Sequence, residues 1–209
     1  GGLTVGADGG SHQQIEDIAI MRVIPNMRVI LPADSVAVSK LTWIIAQQYG
    51  PFYMRMCRSK TPIIHNDSQE FQVGKAITMR EGSDCTIAAC GITVKMALDA
   101  ADLLNQDGIS CRVIDCFSIK PIDKELLEKA ARETGAIVTC EEHNVMGGFG
   151  SAVSEVVSES YPVPIRRIGV QDKFGESARD NEIAQLLEKH GMTPINIINM
   201  VKEARSQKQ

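Results

Sequence analysis

The chain has 209 residues, of which 44% are apolar and 23% charged, and its net charge is −4. That composition predicts a soluble globular protein of one or two domains. Lys and Arg are dispersed, so no basic face for nucleic acid is expected. No apolar run approaches the roughly 18 residues of a membrane helix, and no basic stretch leads into an apolar core as in a secretory leader.

In chain order, the first feature is a glycine-rich loop, Gly2-Leu3-Thr4-Val5-Gly6-Ala7-Asp8-Gly9-Gly10-Ser11-His12-Gln13. Such glycines mark a backbone that turns sharply or approaches something closely. Ser11 with Gln14 reads as a capping box for a helix over 14–23, which places His12 in the first helical turn. There the positive helix end would keep an imidazole neutral and able to donate a hydrogen bond to a substrate oxygen. A turn and cap without chemistry is the plain alternative.

Residues 27–31 read as a short buried strand, 35–48 as a helix capped by Asp34 or Ser35, and 51–57 as a strand. Residues 59–70 are polar, broken by Pro62 and without period, and read as a linker. A second unit follows: strands over 72–79 and 84–90 with a turn at 81–83, then a helix over 93–106 with Val94, Ala97, Leu98, Ala101 and Leu104 at helical spacing,. A strand over 109–117 and a helix over 123–134, capped by Asp123 and stopped by Gly135, come next. Strand 136–141, helix 150–159, strand 165–169, a helix face at Ile183, Leu186, Leu187 and His190, and a helix over 194–205 complete the pattern. Repeated strand–helix–strand units predict a largely parallel sheet covered on both faces. Residues 1–58 hold only two strands and two helices, so the rest of that unit is expected to come from a missing segment or another chain.

The six cysteines form no C-x-x-C pair and fall in apolar stretches, which predicts buried reduced thiols and no zinc site,. Arg55 and Arg58 lie three apart on one predicted strand and face opposite ways. Arg58, at the strand end, suits an anion as a guanidinium fork, whereas Arg55 reads as a structural or interface ion pair. His65 in the linker needs no function, and His190 sits near a helix C-terminus where a cation is favourable. Gly147-Gly148-Phe149-Gly150 follows a strand and opens a helix, but Val153 replaces the third glycine of a dinucleotide fingerprint,.

The loop at 6–13 resembles the G-x-D-G-x-T/S-H-Q segment of transketolases and deoxyxylulose-phosphate synthases. Ile24-Pro25-Asn26-Met27, Pro32-Ala33-Asp34, and Gly50-Pro51 leading to Arg55 and Arg58 continue the likeness. Further along, Cys111-Arg112-Val113-Ile114-Asp115 with Ile119-Lys120-Pro121, Glu141-Glu142-His143 with Gly147-Gly148-Phe149-Gly150-Ser151, and Asp172-Lys173-Phe174-Gly175-Glu176-Ser177 resemble the C-terminal transketolase domain. The resemblance implies an α/β fold: the rear part of a pyrimidine-binding domain over 1–58, a linker over 59–71, and a C-terminal domain with a largely parallel five-stranded sheet over 72–209.

It also implies a cytoplasmic transferase of carbohydrate metabolism. That enzyme uses thiamine diphosphate and a divalent metal (Mg or Ca) to move a two-carbon ketol unit from a ketose phosphate to an aldose phosphate, as in the pentose phosphate interconversions. By resemblance, His12 would bond substrate and intermediate oxygens, Asp8 a substrate hydroxyl, and Arg58 the substrate phosphate. The Gly147 loop and Glu141, Glu142 and His143 would lie near a subunit contact. Gly10 stands where the family often has Pro, and Ala178 where it commonly has Gly.

The family's catalytic glutamate in a G-[IV]-A-E-Q-like segment, and the diphosphate-binding G-D-G with its metal-ligating Asn, do not occur here. The cofactor site is therefore expected mostly outside this chain, in a missing N-terminal subunit or domain, with a homodimer formed through the C-terminal domain. The isolated chain is expected to be inactive and not to bind the cofactor tightly. Alternatives are a deoxyxylulose-phosphate synthase fragment and a non-catalytic assembly or regulatory module.

Overall fold

The structure, a computed structural model, describes residues 1–208. A tight 3-10 segment at Leu3–Asp8 leads into α1 (Asp17–Val23), β1 (Arg28–Ile30), α2 (Ser35–Ala46) and β2 (Phe52–Met54). Then follow β3 (Ile77–Arg80), β4 (Cys85–Ala89), α3 (Thr93–Gln106), β5 (Cys111–Asp115), β6 (Ser118–Lys120) and α4 (Lys124–Thr134). The chain closes with β7 (Ile137–Asn144), α5 (Phe149–Ser160), β8 (Ile165–Val170), α6 (Ile183–Lys189) and α7 (Pro194–Ser206).

β4, β5 and β7 are buried at every position, as strands covered on both faces must be,. They form the centre of a five-stranded sheet in the order β3-β5-β4-β7-β8, parallel throughout except for β3. The chain bends at Ser83–Asp84, and β3 pairs with β5 and not with β4. Gly82 makes room for this: a Cβ there would lie 2.2 Å from the Cys111 carbonyl carbon. On one face Val94, Ala97 and Leu104 of α3 and Val201 of α7 pack on Ile87, Val113 and Val138. On the other, Leu127 of α4 and Phe149 and Val153 of α5 pack on Ala88, Ile114 and Ile137. Each such side chain contributes about 1.5–3 kcal/mol of transfer free energy.

Helix ends follow their caps. Asp123 accepts from Leu126 N–H, and Gly135 stops α4 in the left-handed region at φ 65. Asp34 caps α2 through Ala37 N–H at 2.8 Å. The capping box expected from Ser11 and Gln14 does not form. α1 begins at Asp17 with no side-chain cap, and His12 lies in an exposed turn before it.

The first 58 residues do not stand as a separate layer. β1 and β2 pair in parallel, and β6 from the second half joins β1 antiparallel to give the order β2-β1-β6. Val29 and Leu31 share a core with Ala88 and Ile114 of the larger sheet. Leu41 of α2 packs with Ile30, Phe71 and Phe117, and the two Phe rings meet edge to face at 5.1 Å.

Residues 59–71 carry no regular element, yet His65 and Phe71 are buried. Asp34 Oδ2 accepts from Ile64 N–H and His65 N–H, both at 2.8 Å, and lies 3.1 Å from His65 Nδ1. His65 Nε2 lies 3.2 Å from Asp115 Oδ2 at the end of β5. Burial works against the imidazolium, but Asp115 and Asp34 outweigh it and raise its pKa. Burial pushes the Asp115 carboxyl up to about 6. His190 is the C-cap of α6, at the helix end expected, but its surroundings disfavour a cation. It is 8% exposed, neither ring nitrogen has a partner among the described residues, and burial lowers its pKa.

All six cysteines are free. Cys57 is half-buried and the others buried. Burial pushes Cys111 up to about 11 and Cys85 to about 12, as expected of unreactive interior thiols,.

Candidate functional site

The loop that carries Asp8 is built by its glycines. Two short turns over Leu3–Asp8 meet at a kink at Gly6, with φ 70 and ψ −111, and Gly9 follows at φ 76. Both angles lie where a side chain is strained. Leu3, Thr4, Val5 and Gly6 are buried against the second half of the chain. Ala178 N–H donates to Gly6 O at 3.3 Å. The Gln13 amide donates to Leu3 O at 3.1 Å and to Glu176 O at 2.8 Å, clamping the loop to residues 175–178. A Cβ on Gly10 would lie 2.6 Å from Gly175 O, so this contact requires a bare backbone. Sequence reasoning does not single out Gln13, whose place in the 6–13 motif is its only signal.

Asp8 and Arg58 meet as an ion pair between Oδ2 and Nη1, and about half of each side chain is exposed. Arg58 Nη1 also lies 3.5 Å from Val5 O. The guanidinium sits beyond the strand rather than at its end, because β2 stops at Met54. An exposed pair of this kind adds little stability and can be re-formed around an incoming ligand. Arg58, Ser59 and Lys60 line a cavity of about 280 Å³ with Thr4, Val5, Asp180 and Ile183. His12 is exposed, with Nδ1 3.0 Å from Ser11 Oγ, and no hydrogen bond joins it to Asp8 or Arg58. Since His12 is outside the helix, the helix-end argument for its charge state does not apply.

Arg55 is the structural group expected. It is 7% exposed and donates from Nε to Asp17 Oδ2 at 2.8 Å, and from Nη2 to Gln14 O at 3.0 Å and Glu142 O at 2.9 Å. Burial opposes its charge, but Asp17 and Glu142 more than offset this and raise its pKa. Tyr53 donates to the same Asp17 oxygen at 2.6 Å, and burial followed by that carboxylate pushes its phenol up.

Glu141, Glu142 and His143 are expected from the resemblance to lie near a subunit contact. The structure buries all three inside this chain, at 0%, 3% and 0% exposure. The reason is that β7 continues through them to Asn144 and meets the first 20 residues. Glu142 Oε1 accepts from Thr4 N–H at 2.6 Å, and His143 Nε2 accepts from Ile18 N–H at 3.1 Å. His143 Nδ1 donates to Asn144 O at 2.7 Å, which fixes the neutral tautomer, and burial lowers its pKa in agreement. The Glu141 carboxylate accepts from Phe149 N–H at 2.6 Å and Gly150 N–H at 2.8 Å. Burial still pushes it up to about 7.

Those two bonds decide how the Gly147–Gly150 turn is used. The first free N–H groups of α5, which could cradle a phosphate, are taken by an internal carboxylate. A Cβ on Gly148 would lie 2.1 Å from Glu141 Oε2, so the glycine serves this contact. Among the described residues, no group of three or more His, Cys, Asp or Glu is arranged to hold a metal ion. Taken alone, the residues present do not fit a diphosphate with its metal. No described helix is long and apolar enough to cross a membrane.

Fold and cleft together define an α/β protein in which a short parallel unit and a five-stranded, mostly parallel one are fused along a glycine-loop seam that carries the polar side chains. Residues 1–63 match the family model of the transketolase pyrimidine-binding domain, and residues 74–197 that of the transketolase C-terminal domain. The chain belongs to the transketolase family. It is 41% identical over 207 residues to a 6-deoxy-6-sulfo-D-fructose transketolase subunit of Clostridium sp. (strain MSTE9), covering 99% of this chain and 63% of that one. It is 43% identical over 184 residues to an apulose-4-phosphate transketolase subunit of Phocaeicola vulgatus, covering 88% of this chain and 59% of that one. A solved structure described as a split gene transketolase, inactive beta4 tetramer, superposes with a TM-score of 0.93 at 46% identity, covering 98% of this chain and 66% of that one. The chain thus spans under two thirds of the length of these relatives.

Proposed function

We propose that this chain is the C-terminal part of a thiamine-diphosphate-dependent transketolase that moves a two-carbon ketol unit from a ketose phosphate to an aldose phosphate. The single observation that supports the reading is the Asp8–Arg58 ion pair, which joins a glycine loop locked to the second half of the chain to the Arg58 guanidinium, itself part of the lining of a cavity of about 280 Å³. In this reading Arg58 takes the substrate phosphate, Asp8 a substrate hydroxyl, and His12 an oxygen that gains charge. The diphosphate, its metal (Mg or Ca) and the catalytic glutamate come from a partner chain or segment, and the assembly is a cytoplasmic homodimer. We assign residues 1–58 to a pyrimidine-binding unit, 59–71 to a linker and 72–209 to the C-terminal domain.

The family members named above act on unlike sugars, so the donor has to be found by assay. With the partner supplied, Arg58→Ala is expected to raise KM at least about tenfold for phosphorylated substrates and much less for unphosphorylated ones, a loss of about 1.4 kcal/mol or more of binding. Equal effects on both classes would remove Arg58 from that role. Pyruvate tested beside ketose phosphates as donor separates a deoxyxylulose-phosphate synthase from a transketolase.

A further inference from the structure

One buried carboxylate ties the site loop to the larger sheet. Glu142 stands on β7, inside the five-stranded sheet, and reaches Thr4 N–H at 2.6 Å, four residues before Asp8. Its second oxygen faces Arg55 Nη1 at 3.8 Å, and Arg55 in turn bonds Gln14 O and Asp17 on the far side of the loop. Gly2, at φ 89, leaves room for the group: a Cβ there would lie 2.3 Å from the Glu142 carboxyl carbon. The loop is therefore held at both ends by one charged cluster with side-chain exposures of 5%, 6% and 3% for Arg55, Asp17 and Glu142.

A buried acid that served stability alone would be a poor choice, because apolar groups of similar volume often do as well or better there. A charge-assisted bond to a backbone N–H, by contrast, fixes the position of that backbone.

We propose that Glu142 is a positioning residue of the site: from the C-terminal domain it holds the Thr4 backbone, with Arg55 as its counter-ion, and so sets the place of Asp8 and His12. This gives the C-terminal domain a part in catalysis that it performs without touching substrate. The inference rests on the reading of the Asp8 loop as part of an active site. Its first test is independent of that reading.

Amide hydrogen exchange on the full chain is compared for wild type, Glu142→Ala, Glu142→Gln and Gly2→Ala. Gln keeps an acceptor of the same reach, and Gly2→Ala crowds the carboxylate from the loop side. Expected is at least about tenfold faster exchange at Thr4 in Glu142→Ala and Gly2→Ala, near-normal exchange in Glu142→Gln, and unchanged exchange in β4 and β5. Unchanged Thr4 exchange, or a uniform rise through the sheet, overturns the proposal.

In the enzyme reconstituted with its partner, Glu142→Ala is expected to lower kcat about tenfold with KM within about threefold, and Glu142→Gln to restore most of it. In an Asp8→Ala, His12→Ala background the same change is expected to cost less than about twofold, since both side chains that the loop places are already gone. Additive losses, or a Gln variant no better than Ala, also overturn it. A reconstituted enzyme without transferase activity defeats the functional reading, and the exchange data still judge the contact. Should Glu142→Ala fail to fold, Gly2→Ala and Glu142→Gln carry the comparison.

Discussion

Glu141 and Glu142 are neighbours on β7, point to opposite faces of the sheet, and do different work. Glu141 saturates the N-terminus of α5, while Glu142 holds the site loop. Glu141 also makes stability depend on pH. Its carboxyl is raised from 4.5 to about 7 in the folded chain, so between those values the native state binds more protons than the unfolded one. Stability from this group is therefore present at low pH and lost as pH rises through that window, on the order of 1 kcal/mol per pH unit. In Glu141→Gln an amide N–H faces one of the two backbone donors, so the variant is less stable throughout. The gap to wild type is expected to narrow as the pH is raised from 5 to 8, as read by urea midpoints. A gap that widens would mean that Glu141 is held below, not above, its ordinary value. At this scale the sequence reveals the identities but not the pairings. Arg55 as a buried ion pair and Arg58 at the cleft can be read from their spacing. The Asp8–Arg58 pair cannot, because 50 residues separate the partners. Sequence reasoning misplaces His12 because a local cap signal at Ser11 loses to a turn that begins at Gly9, whose carbonyl accepts from both His12 N–H and Gln13 N–H.

The elements best read from the sequence are those whose ends are set by local chemistry. α3, α4 and α7 begin and end within a residue of their expected limits: α4 carries a cap at Asp123 and a stop at Gly135, α7 a cap at Thr193, and α3 an apolar period without a side-chain cap,. Sequence reasoning misses β6 and ends β7 three residues short, for a common reason. Ser118–Lys120 is too short to show a period, and Glu-Glu-His-Asn reads as a polar strand end until the first 20 residues cover it. That information is tertiary and has no local signal. The segment 59–71 teaches the same lesson through Asp34, which caps α2 while accepting from Ile64 and His65 N–H and facing the His65 ring. Asp34→Ala is expected to destabilise the chain by about 2–4 kcal/mol: about 1 for the cap and 1–3 for donors left buried without a partner. Lys95→Ala, which removes an exposed i,i+4 pair with Asp99, should cost under about 0.5 kcal/mol,. Urea unfolding of both checks this, and equal losses would mean that the 59–71 segment is not anchored as described.

At the scale of the whole molecule, the α/β class and the five-stranded, mostly parallel sheet are legible from the alternation of buried strands and amphipathic helices. The dependence of the two halves on each other is not. β6 completes the smaller sheet, Glu142 and residues 175–178 hold the site loop, and the His65 ring lies between carboxylates of both halves. Asp8 and Arg58 meet as an exposed pair, His12 lies apart from them, and the first free N–H groups of α5 are taken by Glu141. Trp43 at 70%, Tyr49 at 100% and Phe174 at 91% exposure lie on the outside of this framework. Everything proposed for function depends on this chain supplying one wall of a shared thiamine-diphosphate site. The decisive experiment is calorimetric titration of thiamine diphosphate with Mg into the chain alone, into a transketolase partner chain carrying the diphosphate-binding domain, and into their mixture. Expected are no binding to this chain alone, and saturable binding to the mixture, tighter than to the partner and accompanied by two-carbon transfer. Binding to the mixture no tighter than to the partner alone would contradict the shared site.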